Sequence, residues 1–239
     1  MKELEDHTWF PPVFRNFQTE FIGFVVTWLK VYDVFIHYLR SLSLSLKPMT
    51  DLCSGSGEPA ITIFKKSNCF SHLVLSDKYP GTLKFRAVNI PTEILPKDVL
   101  EMEFKSGMYY TMFNAFHHFR DEEKLKMVQK IQRSGSTAFI VEILEPNIFS
   151  FLKVVSITTI GSLIITPFIQ PFSLKRLIFT YILPINILTI TFDGIVSVFK
   201  SRSVKQYQNL FAKNEHAIKI FRLRNRLSTL IVLQIEPEQ

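Results

Sequence analysis

Asp51-Leu-Cys-Ser-Gly-Ser-Gly-Glu-Pro59 packs a strand end, a glycine-rich turn and a helix start into nine residues. Met49 to Cys53 reads as a short buried strand. Gly55 and Gly57 permit positive φ in the turn and let a ligand approach the backbone where a side chain would block it. Pro59 stands where a helix begins, a position that tolerates its missing N–H, and the helix is predicted to run to about Lys66. Asp51 closes the strand, at the end where open parallel sheets bind ligands. Taken alone, the turn also fits the dinucleotide pattern Gly-x-Gly-x-x-Gly/Ala, because Ala60 fills the third place.

Downstream, strands and helices alternate. His72 to Asp77 reads as a second strand ending on an acid, followed by a short helix from Gly81 to Val88. Glu93 to Val99 is a third strand and Tyr109 to Ala115 a fourth. A polar helix over Asp121 to Gln132, capped by Asp121, leads to a fifth strand, Thr137 to Ile143. Ala217 to Arg224 and Ser228 to Ile235 read as an antiparallel hairpin. This alternation predicts an α/β, Rossmann-like, doubly wound sheet of seven strands. Upstream, Phe14, Phe17, Phe21, Phe24, Trp28, Tyr32, Phe35 and Leu39 recur at steps of three and four, one face of a helix. Such a stripe is most often core; a helix laid over the ligand mouth is the sharper alternative. Ser41 to Lys47 fits either a short strand or a Ser-rich linker. The expected organisation is an N-terminal helical segment (1–47), a ligand-binding core (48–145), an apolar helical insertion after the fifth strand (146–203) and a hairpin completing the sheet (204–239).

The 239 residues carry a formal net charge of +7, and 47% are hydrophobic, with 23 phenylalanines. The charge is local. Lys175 to Arg226 holds ten basic residues against two acids, whereas residues 1–174 hold 18 against 17. A basic field of this kind suits nucleic acid, an anionic substrate, acidic lipid or plain solvent. Two cysteines, Cys53 and Cys69, make neither a disulfide framework nor a zinc site. The start, Met1 to His7, lacks a secretory pattern. An intracellular, cytoplasmic placement is the expectation.

Asp77 follows the glycines by about 20 residues, where an acid can accept hydrogen bonds from an adenosine ribose; capping the helix at Pro80 is the plainer role. Nicotinamide dinucleotides and S-adenosylmethionine (SAM) both carry that ribose. Pyrophosphate at a helix N-terminus gains little from a carboxylate beside it, whereas SAM carries an ammonium and a sulfonium and suits Asp51 better. Asp-x-Cys-x-Gly-x-Gly at 51–57 resembles the first motif of the class I SAM-dependent methyltransferases. Asp77 matches the acid after their second strand, Asp98-Val99 the acid that holds adenine, and Phe113-Asn-Ala-Phe-His-His-Phe119 their fourth motif. A narrower resemblance covers about residues 48–210. It is to a bacterial subgroup with Asp-Leu-Cys-Ser-Gly, Phe-His-His-Phe, and later Thr180-Tyr181-Ile-Leu-Pro184 and Asp193-Gly194-Ile-Val-Ser197. The resemblance implies SAM as cofactor, held by Asp51, Cys53, Gly55, Gly57, Asp77, Asp98, Val99 and Asn114.

Methyl transfer from a sulfonium is an in-line displacement with a good leaving group, so positioning alone supplies much of the catalysis. Where the acceptor must lose a proton, His117 or His118 is the candidate base. No metal is expected, since neighbouring residues do not share one helix face. Glu142 reads as a surface or capping acid and Cys53 as a packing residue.

Val154 to Leu174 has no charge over 21 positions, and Leu177 to Phe192 none over 16. A membrane-spanning hairpin passes the length test, but Pro167, Pro171, Pro184 and Gln170 oppose it. An apolar lid over the substrate is the favoured reading, with Tyr181, Asp193 and Arg176 facing the site. A third reading adds membrane contact through Lys153, Lys175, Arg176, Lys200 and Arg202. Together these predict a methyltransferase acting on a small, hydrophobic or lipid-like molecule. An RNA methyltransferase is the enzymatic alternative, disfavoured because no RNA-binding module is recognisable, and DNA is not an expected partner. A methyltransferase-fold binding protein without turnover is the non-enzymatic one.

Overall fold

Lys47–Leu52 (β1), Phe70–Asp77 (β2), Thr92–Pro96 (β3), Tyr109–Phe113 (β4), Thr137–Glu142 (β5), Ile218–Arg224 (β6) and Thr229–Ile235 (β7) form one sheet. Its order is β3-β2-β1-β4-β5-β7-β6. The first five strands are parallel; β7 is antiparallel to both β5 and β6. This is a computed structural model, and it describes residues 2–81, 92–212, 218–225 and 228–238. The helix predicted over Gly81 to Val88 lies almost wholly outside them.

Side chains alternate across a strand, and here both faces are buried. On β5, Phe139 and Val141 join the core that holds Phe35, Leu39, Met49, Ile63 and Leu73. Ala138 and Ile140 join the opposite core, with Met112, Phe116, Met127, Ile131 and Tyr207. The helices Asp33–Ser41 (α2) and Ala60–Ser67 (α3) cover the first face, and Asp121–Arg133 (α4) and Val204–Leu210 (α8) the second. Winding therefore reverses between β1 and β4, and a crevice opens at the C-terminal ends of these two strands.

Some local expectations change. The aromatic stripe is not one helix: Pro12–Trp28 (α1) and α2 meet at 68°, because the chain turns through Lys30 at φ 53°. Glu20, an acid within α1, is buried. The polar helix α4 is capped from Arg120, whose N–H donates to Glu123 at 2.8 Å, and Asp121 is its first residue. The third strand stops at Pro96, and Asp98 caps a 3-10 turn, Val99–Glu101. Ser43 to Leu46 forms no regular element.

The apolar segment folds as helices Ile148–Phe168 (α5), Leu174–Ile182 (α6) and Ile185–Lys200 (α7). The last two are bent by 81° at Pro184. Gly194 lets α7 cross α5 closely; a Cβ there would lie 2.6 Å from Val154 Cγ1. Phe21 and Val25 of α1 pack on Ile165, Ile169 and Ile190. The remaining surface of these helices is greasy: Phe149 is 80% exposed and Phe168 66%, with Ile164, Ile182 and Leu188 similarly bare.

Candidate active site

The chain leaves β1 through residues that only a tight turn requires, with Cys53, Gly55 and Gly57 at φ 57°, 54° and 89°. Ser54 N–H donates to Ser76 O at 3.0 Å, and Gly55 N–H to Asp77 Oδ2 at 2.8 Å. Asp77 Oδ1 accepts Tyr79 N–H at 2.7 Å. Asp77 thus ties its own turn to the glycine turn, while each oxygen keeps a lone pair for a further donor. Burial raises the Asp77 pKa against these two donors. Burial also pushes the Cys53 thiol well above its ordinary value, so it stays protonated and is a packing group.

Beside this turn lies a cavity of about 880 Å³, near the top of the ~300–1,000 Å³ usual for ligand sites. Cys53, Gly55, Asp77, Asp98, Val99 and Asn114 line it, as do His117 and His118. Asn114 leaves β4 at φ 50° and donates its N–H to Val141 O at 2.8 Å. Its Oδ1 is buried without a partner, as are Ser56 Oγ and Tyr32 Oη, all in residues that line the cavity. Asp98 Oδ1 accepts Leu100 N–H at 3.0 Å, and Oδ2 accepts Lys78 Nζ at 2.9 Å.

The histidines sit on a 3-10 turn, Phe116–His118. There their rings converge, with centroids 4.6 Å apart; the argument from helix faces does not apply. His117 Nδ1 lies 2.7 Å from Glu142 Oε2, and Glu142 Oε1 accepts Phe116 N–H at 2.7 Å. Burial would raise the Glu142 pKa, but His117 and the Phe116 N–H pull it below its ordinary value. Glu142 is therefore an acceptor for His117 Nδ1, and Nε2 is turned toward the Glu3 carboxylate at 4.0 Å. That Nε2 is buried and unpartnered. Glu142, 1% exposed, is thus an internal partner of His117 and not a surface acid.

A second arm of the site was not foreseen. The 3-10 turn Leu4–Asp6 brings Glu3, Glu5 and Asp6 onto His118, at 3.3, 3.6 and 3.0 Å. Asp193 of α7 holds this turn, accepting Leu4 N–H at 2.6 Å and Glu5 N–H at 3.2 Å. Arg15 holds it from the other side by donating to the carbonyls of Glu5 and His7, both at 3.0 Å. Lys200 Nζ lies 3.0 Å from Glu3 Oε1 and 3.5 Å from Asp6 Oδ2. Burial depresses the His118 pKa, but Glu3, Asp6 and Glu5 outweigh it and raise the value to about 9. Burial and the neighbouring acids raise Glu5 to about 8. Three acids in the first six residues are the only trace of this in the sequence, and nothing there says which residues they meet.

The remaining predicted residues divide. Asp193 lines the cavity as an anchor for the N-terminal turn. Asp51, 2% exposed, lies behind the glycine turn and accepts the Thr111 hydroxyl at 2.8 Å; neither it nor Gly57 lines the cavity. Arg176 is buried away from the cavity, paired with Glu20 and donating to Ile169 O at 2.7 Å and Pro171 O at 2.6 Å. Tyr181 is 46% exposed and donates to Leu163 O, on the outer side of the insertion. These two brace the apolar helices and do not face the cavity.

The sequence matches no protein-family model and no curated protein. Solved structures are similar in fold. The plantazolicin methyltransferase BpumL in complex with SAH matches with a TM-score of 0.57 at 13% identity, over 94% of this chain and 88% of that one. A SAM-dependent methyltransferase from Aquifex aeolicus gives 0.52 at 10% identity, over 87% and 92%. The pyocyanin biosynthetic protein PhzM gives 0.53 at 11% identity over 85% of this chain, which spans about half (54%) of PhzM. With its seven-stranded order and reversed last strand, the chain has the α/β Rossmann-like fold of the SAM-dependent methyltransferases.

Proposed function

We propose that this protein is a SAM-dependent methyltransferase acting on a small, hydrophobic or lipid-like acceptor. One observation carries the reading: a single cavity is lined by Gly55 and Asp77 together with His117 and His118. SAM would supply a methyl group on a positively charged sulfur. The residues fit it. The glycine turn presents backbone without side chains, Asp77 and Asp98 have lone pairs for hydroxyl and amine donors, and Asn114 Oδ1 and Ser56 Oγ await partners. The bound structures of BpumL, whose partners include desmethylplantazolicin analogues and SAH, support the same class of ligands. His117, held by Glu142, would take a proton from the acceptor, and α1 and α7 supply the neighbouring cavity wall.

The hydrophobic acceptor follows from the apolar walls at Phe21, Val25, Ile157 and Ile190 and from the bare face of α5 to α7. That face also supports contact with the cytoplasmic surface of a membrane. The cations expected to meet headgroups contribute less than the sequence suggests: Arg176 pairs with Glu20, Lys200 with Glu3 and Asp6, and Arg202 with Asp121. Contact then rests on apolar area. Incubating the protein with methyl-labelled SAM and separate lipid, small-molecule and RNA fractions tests the function. Label is expected in the lipid or apolar small-molecule fraction; label in RNA alone, or in none, overturns it.

A further inference from the structure

The two histidines of the site are held alike. His117 Nδ1 meets Glu142 at 2.7 Å and His118 Nδ1 meets Asp6 at 3.0 Å. Each Nε2 is thereby turned toward Glu3, at 4.0 Å from His117 and 3.3 Å from His118. A carboxylate on Nδ1 is the usual partner that orients a metal-ligating imidazole. The three ligand atoms lie within 4.8 Å of one another. Atoms bound to one ion at 2.0–2.2 Å stand roughly 3.0–3.5 Å apart, so the three groups must draw together by at most about 2 Å to hold one ion. An independent sign comes from His117 itself, 1% exposed with Nε2 unpartnered; a buried polar atom of this kind is costly unless something fills the space before it. Charge agrees: Glu3, Asp6 and Glu142 lie against the pair, with Lys200 on Glu3 and Asp6. Lys200 sits on Glu3 Oε1 and leaves Oε2 facing His118.

We propose that Glu3, His117 and His118 form a two-histidine, one-carboxylate site for a divalent first-row transition ion such as zinc. Imidazole with carboxylate suits this class and leaves coordination positions open; magnesium and calcium prefer oxygen ligands throughout. All three residues line the cavity, and an acceptor hydroxyl bound to an ion held there would lose its proton to solvent at lower pH than a free one. This role deepens the methyltransferase reading and rests on it; occupancy of the site does not. In the ion-bound protein His117 acts as ligand, and proton removal passes to the ion.

The test is titration of the metal-stripped full chain with cobalt(II), read by visible absorption. The expected result is saturation at one equivalent, with affinity reduced at least tenfold in Glu3→Gln and His118→Asn and unchanged in His37→Ala, which lies on the exposed side of α2. Glu142→Gln should weaken binding by about 10–100-fold, giving a readout should changes at His117 unfold the protein. No cobalt spectrum, or equal affinity in all variants, overturns the site. SAM calorimetry on the same sample separates the two readings. Cobalt refused with SAM bound overturns the ion site alone; cobalt bound with SAM refused supports the site and overturns its role.

Discussion

At His117 the neighbour chooses the tautomer. Glu142 stays ionised because two donors hold it in a buried place, and a charged acceptor there keeps the ring proton on Nδ1. Glu142→Gln removes that charge while keeping the shape. It should lower kcat by about 10–100-fold with little change in the KM for SAM, because Glu142 does not line the cavity; steady-state kinetics check the split. Asp51 makes a different kind of statement. Burial, only partly offset by the Thr111 hydroxyl, raises its pKa to about 7. Its folded pKa lies above the unfolded value, so the stability it contributes is complete below about pH 4 and is lost as pH rises through 7. Asp51→Asn keeps an acceptor for Thr111 and should flatten that loss. Thermal melts at pH 5 and pH 8 should differ less in the variant than in the parent, by about 3 kcal/mol in stability. Asp77, Asn114 and the histidines were legible as cavity residues, since each sits at or beside a strand end, whereas Asp51, expected with them, lies behind the turn. Glu3, Glu5 and Asp6 were not, because their partners stand more than a hundred positions away and neither local period nor motif records such a pairing.

Among the elements, α1 and α6 are joined through one internal ion pair, Glu20 with Arg176. Arg176 also ties the carbonyls of Ile169 and Pro171, fixing the bend between α5 and α6. Arg176→Met leaves a buried carboxylate without its guanidinium and should cost about 3–5 kcal/mol. Adding Glu20→Gln should return part of it, as denaturant melts of the single and double variants would show. The sequence marks both residues as polar in apolar surroundings, which is why Arg176 suggested a substrate contact; burial with a partner is the other way to settle such a residue. The break between α1 and α2 was equally hidden, because the aromatic spacing continues through Leu29 to Tyr32 with no proline or glycine to interrupt it. Strands were easier to place. Each is short, apolar and bounded by turn residues, and two-sided burial of β4 and β5 leaves only apolar or paired side chains there.

Over the whole molecule, one side carries the ligand cavity and the insertion adds a face of exposed Phe, Leu and Ile. With Arg176, Lys200 and Arg202 paired to acids of the protein itself, that face should hold to lipid by apolar contact. In flotation assays the protein should rise with both neutral and acidic vesicles. Leu163→Glu with Ile182→Glu should cut the floated fraction at least tenfold; a parent protein that stays at the bottom with both vesicle types contradicts membrane contact and leaves a soluble lid. Fold and cofactor turn were readable because a doubly wound sheet writes its order into alternating segments and strand-end acids. The rest of the cavity lining was not, because it comes from the N-terminus, α1 and α7, which meet only in three dimensions. The central claim is that the cavity beside Gly55 and Asp77 holds SAM. Calorimetry of the purified protein with SAM should show one site per chain, weakened at least tenfold by Asp77→Ala; no heat from folded protein, or unchanged affinity in that variant, would contradict it.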